Sequence, residues 1–203
     1  MEEVRELKNV LERVEKKLIA ASKMYAAMNF AFWLVVMLLY YILINIVEMP
    51  GWADGIYWGG AIGVAIWFTG KIWRKFAELV AATGRKASIG TLPGILILAS
   101  WIVGSTVGWI IIPRTSIAVN EGARLAVGFL TFIGLSVFGQ WLVFFKYGEA
   151  EKEMIPAFLV PFLGIAIAWN MKSGAMTWAG FVVALGFSVT VLWYLYSAFK
   201  TLG

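Results

Sequence analysis

The sequence predicts an all-α, polytopic integral membrane protein: a six-helix bundle with an N-terminal amphipathic cytoplasmic helix continuous with the first span. Three observations predict this fold, and two of them come from the composition. Of the 203 residues, 61% are hydrophobic and only 14% are charged, whereas an average soluble domain has about 25% charged residues. The third is the presence of six apolar stretches close to the roughly 20 residues that cross a hydrocarbon core as a helix. They run over residues 24–47, 52–73, 91–112, 123–145, 155–171 and 175–199.

Residues 1–23 precede the first span and are predicted to form a cytoplasmic amphipathic helix. Apolar residues alternate there at spacings of three and four, the pattern of a coiled-coil seam. This seam consists of Val4, Leu7, Leu11, Val14, Leu18 and Ala21. Because no Gly or Pro separates the seam from the first span, we expect one continuous helix of about 45 residues.

A second apolar stripe, which includes Phe76 and Leu79, follows the second span and stops at Thr83 and Gly84. On the predicted topology it runs antiparallel to the seam on the same side of the membrane. Two interpretations are open. Either the two stripes pack on each other as a short extension of the bundle, or they dock a partner, which is a cytoplasmic protein or a second copy of the chain. The residues concerned are Leu7, Leu11, Val14, Leu18, Phe76 and Leu79.

The distribution of Lys and Arg predicts a multi-pass protein of the cell membrane with both termini in the cytoplasm. Alternating connections place fourteen of these residues on one side and three, Arg114, Arg124 and Lys172, on the other. The positive-inside rule assigns the richer side to the cytoplasm. We therefore interpret the net charge of +5 as a basic inner face that meets membrane lipids, and we expect no nucleic acid as a partner.

The inventory of reactive side chains argues against an enzyme. The chain has no His, no Cys and a single Asp, Asp54, and the one Glu near a predicted span is Glu48. Thiol chemistry, His-based metal sites and membrane enzymes that need paired acidic groups are thereby excluded. We expect no metal and no cofactor. The low content of Asn, Gln and Cys is typical of hyperthermophile proteins.

Polar side chains at membrane depth form a candidate ligand or pore site between the second, fourth, fifth and sixth spans. Gln140 lies one turn after Ser136 in the fourth span, and Ser188 and Thr190 lie at comparable depth in the sixth. Pro161 is expected to kink the fifth span. Together with the Gly-rich second span, this makes two irregular helices of the kind that line transporter sites.

Trp101 is the remaining candidate for this site, because it falls in the middle of the third span. Its ring N–H needs a hydrogen-bond partner at that depth. We expect either helix packing, with a nearby Ser or carbonyl as acceptor, or a position in the wall of an apolar ligand pocket.

Small residues four apart predict faces along which helices approach closely. They are Gly59 and Gly63 in the second span, Gly104 and Gly108 in the third, and Gly180 in the sixth.

Two internal symmetries are open. Residues 122–141 and 174–193 match at eight of twenty positions, which favours duplication of a two-helix hairpin. Alternatively, three spans that start inside followed by three that start outside make an inverted repeat.

The layout of six spans in 203 residues, with both ends inside and many Trp residues, is similar to that of the substrate-binding components of vitamin-type ATP-driven importers. The small-residue pair Ala27 and Ala31 corresponds to a contact with an ATPase module in such a layout. The resemblance implies a subunit that binds a solute among its helices. No motif in the chain identifies a family.

Two functions are therefore expected. The leading one is a non-catalytic transporter, channel or importer component that binds or passes a small neutral or weakly polar solute. The alternative is a structural or assembly subunit, within a homo-oligomer or a membrane complex, that docks a cytoplasmic protein through the N-terminal helix and the basic inner face.

Overall fold

The computed structural model of the protein describes residues 2–47, 50–84, 90–148 and 151–203. Within these ranges all regular secondary structure is helical, so the all-α prediction is confirmed. The α-helices of the described chain are α1 (Glu2–Ile46), α2 (Gly51–Ala81), α3 (Thr91–Ser105), α4 (Glu121–Tyr147), α5 (Ile155–Ala168) and α6 (Ala175–Leu202).

The long N-terminal helix is confirmed as one unbroken element. α1 has 45 residues, which corresponds to about 68 Å of α-helix. α2 has 31 residues and continues two turns beyond the predicted end of the second span. It ends at the expected place, where the Thr83 hydroxyl donates to the Val80 carbonyl over 2.6 Å and Gly84 has a φ of 75°, a conformation that glycine adopts readily.

Four helical segments of the described chain are long and apolar enough to cross a membrane. They are Val4–Ile44, Thr91–Arg114, Glu121–Tyr147 and Ala175–Leu202. α5 has only 14 residues and ends at Ala168, three residues before the predicted end of the fifth span. Its length is about 21 Å, less than the roughly 30 Å of a hydrocarbon core.

The second span was expected to be irregular, and this expectation is wrong, because α2 is a continuous α-helix despite its glycines. The irregular helix is the third. After Ser105 it widens into a π-helical segment, Thr106–Ile111, and then tightens into a 3-10 turn, Ile112–Arg114. The Ile112 N–H accordingly donates to the carbonyl of Val107, five residues back.

Contacts divide the chain into two compact units. In its described parts, the first unit contains residues 2–33, 50–84 and 191–203, and the second contains the rest. Both α1 and α6 contribute to each unit.

In the first unit, α1 and α2 form an antiparallel pair. The Tyr25 ring lies 5.6 Å from the Trp73 ring, centroid to centroid. Two turns away, Phe32 stacks on Phe68 at 5.2 Å. Aromatic side chains thus pack together along the contact between these helices.

In the second unit, consecutive helices pack antiparallel. Gly134 of α4 lies against the Phe162 ring of α5, and Gly164 of α5 lies against Val182 of α6. The core is built from α4 and α6, which supply the buried residues Ala123, Ala126, Val127, Leu130, Ile133 and Val137, and Ala175, Ala179, Val182, Val183 and Phe187.

Candidate functional site

Gln140 and Trp101, two of the predicted site residues, are hydrogen-bonded to each other. The Trp101 indole N–H donates to the Gln140 side-chain oxygen over 3.1 Å, which joins α3 to α4. The Trp101 ring also packs edge-on against Phe132 at 5.8 Å. Both side chains are half-buried, and each polar group gains a partner on the neighbouring helix.

Ser136 lies in the same helix contact and is fully buried. Its backbone carbonyl accepts a 3.2 Å hydrogen bond from the Ser100 hydroxyl. Its own Oγ has no hydrogen-bond partner among the described residues, and a Cβ added at Gly104 would overlap it. The helices are therefore in direct contact here, with no room for a solute between Ser136 and Gly104.

Pro161 packs into the contact between α5 and α6. It is fully buried, and its Cδ would lie 3.4 Å from a Cβ added at Gly186. One turn beyond Gly186, Thr190 is also fully buried, and its hydroxyl has no hydrogen-bond partner within the described chain. Ser188 is half-buried. The structure therefore gives Pro161 and Thr190 closely packed surroundings.

The glycines that were predicted to mark close helix contacts differ between the two units. In the second unit the glycines lie at close helix contacts: a Cβ at Gly108 would overlap the carbonyl of Gly128, and one at Gly180 would overlap the ring of Tyr41. In the first unit, nothing lies within 4 Å of a Cβ added at Gly59 or Gly63. Glycines four apart therefore lie at a close helix contact on the third helix, whereas on α2 the same spacing marks a face without neighbouring atoms within 4 Å.

An open groove of about 370 Å³ runs along the third helix where the α-helix becomes a π-helix. It is lined by Trp101, Ile102, Ser105, Thr106, Trp109 and Ile110. The two indole rings lie two turns apart, with two hydroxyl groups between them. The Trp101 ring therefore forms part of an apolar wall while its N–H is bonded to Gln140.

The seam of α1 becomes more exposed toward the N-terminus. Leu18 and Val14 are half-buried, whereas Leu11 is 60% exposed, Leu7 62% and Val4 73%. The seam therefore packs within the chain around Leu18 and is exposed over the first three turns of α1.

One residue of the stripe on α2 is seen to pack on α1. Phe76 stacks on Tyr25 at 5.9 Å, while Leu79 remains 43% exposed. The stripe therefore packs on α1 near Tyr25, and docking by the exposed surface beyond Val14 stays a prediction.

A buried carboxylate was missed by the sequence analysis. Glu153 is 1% exposed and lies in a 3-10 turn, Lys152–Met154, directly before α5. Its charged neighbours are typical of a solvated connection, and only the apolar run from Met154 onward indicates that the turn folds inward. Glu48, the acidic residue singled out from the sequence, lies outside the described residues.

Comparison with models of known protein families, with curated proteins and with solved structures gives no match for this chain. The function must therefore be inferred from the geometry of the chain itself.

Proposed function

We propose that the protein is a non-catalytic, six-span subunit of the cell membrane that docks a cytoplasmic partner protein through the N-terminal part of α1. Both termini lie in the cytoplasm in this proposal, and the first span continues directly into the docking helix. The observation that carries it is the exposure of Val4, Leu7 and Leu11 on a helix whose other half is apolar enough to span a membrane.

The exposed seam is a favourable place for a second helix. Full burial of an exposed Val or Leu side chain contributes about 1.5–3 kcal/mol. Because these three side chains are about two thirds exposed, covering them contributes roughly 3–6 kcal/mol before the entropy of association. Isolated helices with so few heptads associate weakly. Anchorage of α1 in a membrane would offset this weak association, because it holds the helix in one orientation and restricts where the partner must bind.

The basic residues around the base of this helix support a cytoplasmic location. Lys16, Lys17 and Lys23 lie on α1, and Arg74 and Lys75 lie on the part of α2 that packs beside it. Such clusters next to a membrane attract anionic lipid headgroups. They would hold the docking helix at a defined height above the bilayer.

The proposal is tested by copurification in gentle detergent from cells that make the full chain. The seam variant carries Leu7→Glu and Leu11→Glu, and the control carries Asn9→Glu and Arg13→Glu on the opposite face of the same helix. We expect a cytoplasmic protein to copurify with the original chain and the control, and to be lost with the seam variant.

Two results would contradict docking through the seam. One is the absence of any cytoplasmic protein from preparations of the original chain. The other is equal recovery of the partner with the seam variant and the control. Thermal melting of each variant checks that the membrane-spanning part remains folded.

Binding of a small neutral or weakly polar solute is a second candidate function, and the groove on the third helix favours it. This shallow surface groove offers two indole rings and the hydroxyls of Ser105 and Thr106, a combination of apolar surface with a few polar groups that a small solute can contact. We expect a small molecule to copurify with the chain and to be lost in Trp109→Ala. The matched control is Trp67→Ala, on the exposed face of α2; equal retention in both variants would exclude the groove.

A further inference from the structure

We infer that the extracytoplasmic end of the third helix binds an anionic phospholipid, an inference that rests on the membrane placement proposed above and not on docking through the seam. Arg114 and Arg124 hold the phosphate group of the lipid. One of its acyl chains lies along the groove between Trp101 and Trp109. All of these residues belong to the second unit.

The depth of Arg114 is set by the helix that it ends. The apolar segment Thr91–Arg114 has 24 residues, enough to cross a hydrocarbon core of about 30 Å. Its last residue therefore lies at the boundary between lipid and water when the segment spans the bilayer. Trp109 is 43% exposed and lies just inside that boundary, at the depth where indole rings are enriched.

The two arginines come from different helices and meet at the same turn of the chain. The Arg114 Nη1 donates to the Ile110 carbonyl over 2.9 Å, which places this guanidinium at the end of the groove that Ile110 lines. The Arg124 Nη1, near the start of α4, donates to the Thr115 carbonyl over 3.1 Å. Thr115 directly follows Arg114, so both positive charges lie at this end of the groove.

The charges of these arginines are only partly neutralised within the described chain. Carbonyl groups orient both guanidinium groups without cancelling their charge, and each guanidinium has five N–H donors, so donors remain for a ligand. The Glu121 carboxylate lies 4.0 Å from Arg124 Nη2 and is 92% exposed, which makes a weak ion pair. Arg114 forms no ion pair among the described residues.

A third cation, Lys172, lies at the same end of the second unit. The Asn120 amide, directly before α4, donates to the Lys172 carbonyl over 3.1 Å. Three cations therefore surround this end of the helices, against the one carboxylate of Glu121. Because a zwitterionic lipid brings a positive group of its own, this excess of positive charge favours a headgroup with a net negative charge.

Guanidinium groups are well suited to a phosphate. Their planar N–H donors bind phosphate oxygens through paired, charge-assisted hydrogen bonds, which a single ammonium group does not match. Both guanidinium groups are already held by carbonyls, so little side-chain freedom is lost when the phosphate binds.

The groove next to the arginines suits an acyl chain. Phe132 of α4 contacts both indole rings, Trp101 at 5.8 Å and Trp109 at 6.0 Å between centroids, so both walls are held in place. Ile102 and Ile110, which also line the groove, are 58% and 49% exposed. The groove is open along its side, so an extended chain can enter it laterally from a bilayer.

The test is native mass spectrometry of the full chain in detergent, titrated with phosphatidylglycerol or with phosphatidylcholine of the same acyl chains. The arginine variant carries Arg114→Gln and Arg124→Gln. The charge control carries Arg5→Gln and Lys8→Gln, which removes the same charge from the exposed N-terminal part of α1. In a separate arm, inorganic phosphate is added in place of lipid.

We expect the original chain and the charge control to bind phosphatidylglycerol more tightly than phosphatidylcholine. The arginine variant should bind phosphatidylglycerol about tenfold or more weakly, because each basic residue near an anionic headgroup strengthens binding about fivefold. Replacement of both arginines by Lys should retain part of the affinity, since the charge remains and the paired hydrogen bonds are lost. Trp109→Ala should weaken binding of both lipids, and the control Trp67→Ala should not.

Three results would overturn the inferred site. The first is equal affinity of the arginine variant and the charge control for phosphatidylglycerol. The second is binding of inorganic phosphate without binding of phosphatidylglycerol, which would assign the arginines to a soluble anion. The third is a neutral solute that copurifies equally with the original chain and the arginine variant and is lost in Trp109→Ala, because that solute would then occupy the groove.

The outcome is separate from that of the docking experiment. Unchanged lipid binding in the arginine variant would overturn this site, whereas the loss of a cytoplasmic protein in the Leu7→Glu and Leu11→Glu variant would still support docking. Failure of that seam variant to change copurification would contradict docking, and a loss of phosphatidylglycerol specific to the arginine variant would still support the lipid site.

Discussion

The two compact units of this chain use the same small-residue spacing with opposite results. In the second unit, Gly108 of the third helix lies directly against the backbone of α4. In the first unit, Gly59 and Gly63 of α2 have open space where a side chain would be. Glycines four apart thus permit close helix approach, and a neighbouring helix must be present before that approach occurs.

Leucines show the same contrast. Leu130 on α4 is fully buried, whereas Leu11 on α1 is mostly exposed. Both positions belong to apolar stripes that are equally clear in the sequence. One unit therefore buries its apolar stripe within the chain, and the other leaves part of its stripe exposed.

The largest effect is expected from truncating these leucines. Leu130→Ala should destabilise the protein by about 2–5 kcal/mol, because it leaves a cavity in a packed core. Leu11→Ala should change the stability by less than about 0.5 kcal/mol, as for other surface substitutions. Denaturation of both variants in detergent measures the difference, and equal losses would mean that Leu11 is buried within the chain.

The next largest effect is expected from adding a methyl group to each kind of glycine. In Gly108→Ala the new Cβ would lie 2.6 Å from Phe132 Cβ, and such overpacking costs about 1–3 kcal/mol. Gly63→Ala should instead stabilise by up to about 1 kcal/mol through helix propensity. Opposite shifts in melting temperature are expected. A loss of stability in Gly63→Ala would show that this face is occupied, for example by another protein.

A smaller effect is expected at the bond between Trp101 and Gln140. Hydrogen bonds between membrane helices contribute about 0.6 kcal/mol on average and up to about 2 kcal/mol. A double-mutant cycle with Trp101→Phe and Gln140→Leu should give a coupling energy in this range. Additive losses would contradict the bond and return Gln140 to the list of solute-site candidates.

The smallest effect is expected at the exposed ion pair of α2. The Lys75 ammonium donates to the Glu78 carboxylate over 2.9 Å, and this hydrogen bond and the charge of Lys75 lower the pKa of Glu78. A lowered pKa stabilises the folded state above the pKa of the unfolded chain, and this contribution is lost as the pH falls through the folded value. Glu78→Gln should therefore lower the melting temperature slightly at neutral pH and not in acid.

Part of the candidate site could be predicted from the sequence. The need of Trp101 and Gln140 for polar partners followed from their depth in apolar stretches, but the sequence could not show that each was the partner of the other. That depended on the register between α3 and α4. Likewise, Glu153 could not be recognised as buried, since its neighbours in the sequence are charged and its burial depends on how the turn before α5 folds.

The sequence by itself determined the all-helical class, the unbroken N-terminal helix and its seam, because hydropathy and the spacing of apolar residues act along a single helix. Only the tertiary structure decided which glycines are in contact, which polar groups are bonded and which part of the seam is open. Those outcomes depend on where neighbouring helices begin and end, and on the atoms that they bring within reach.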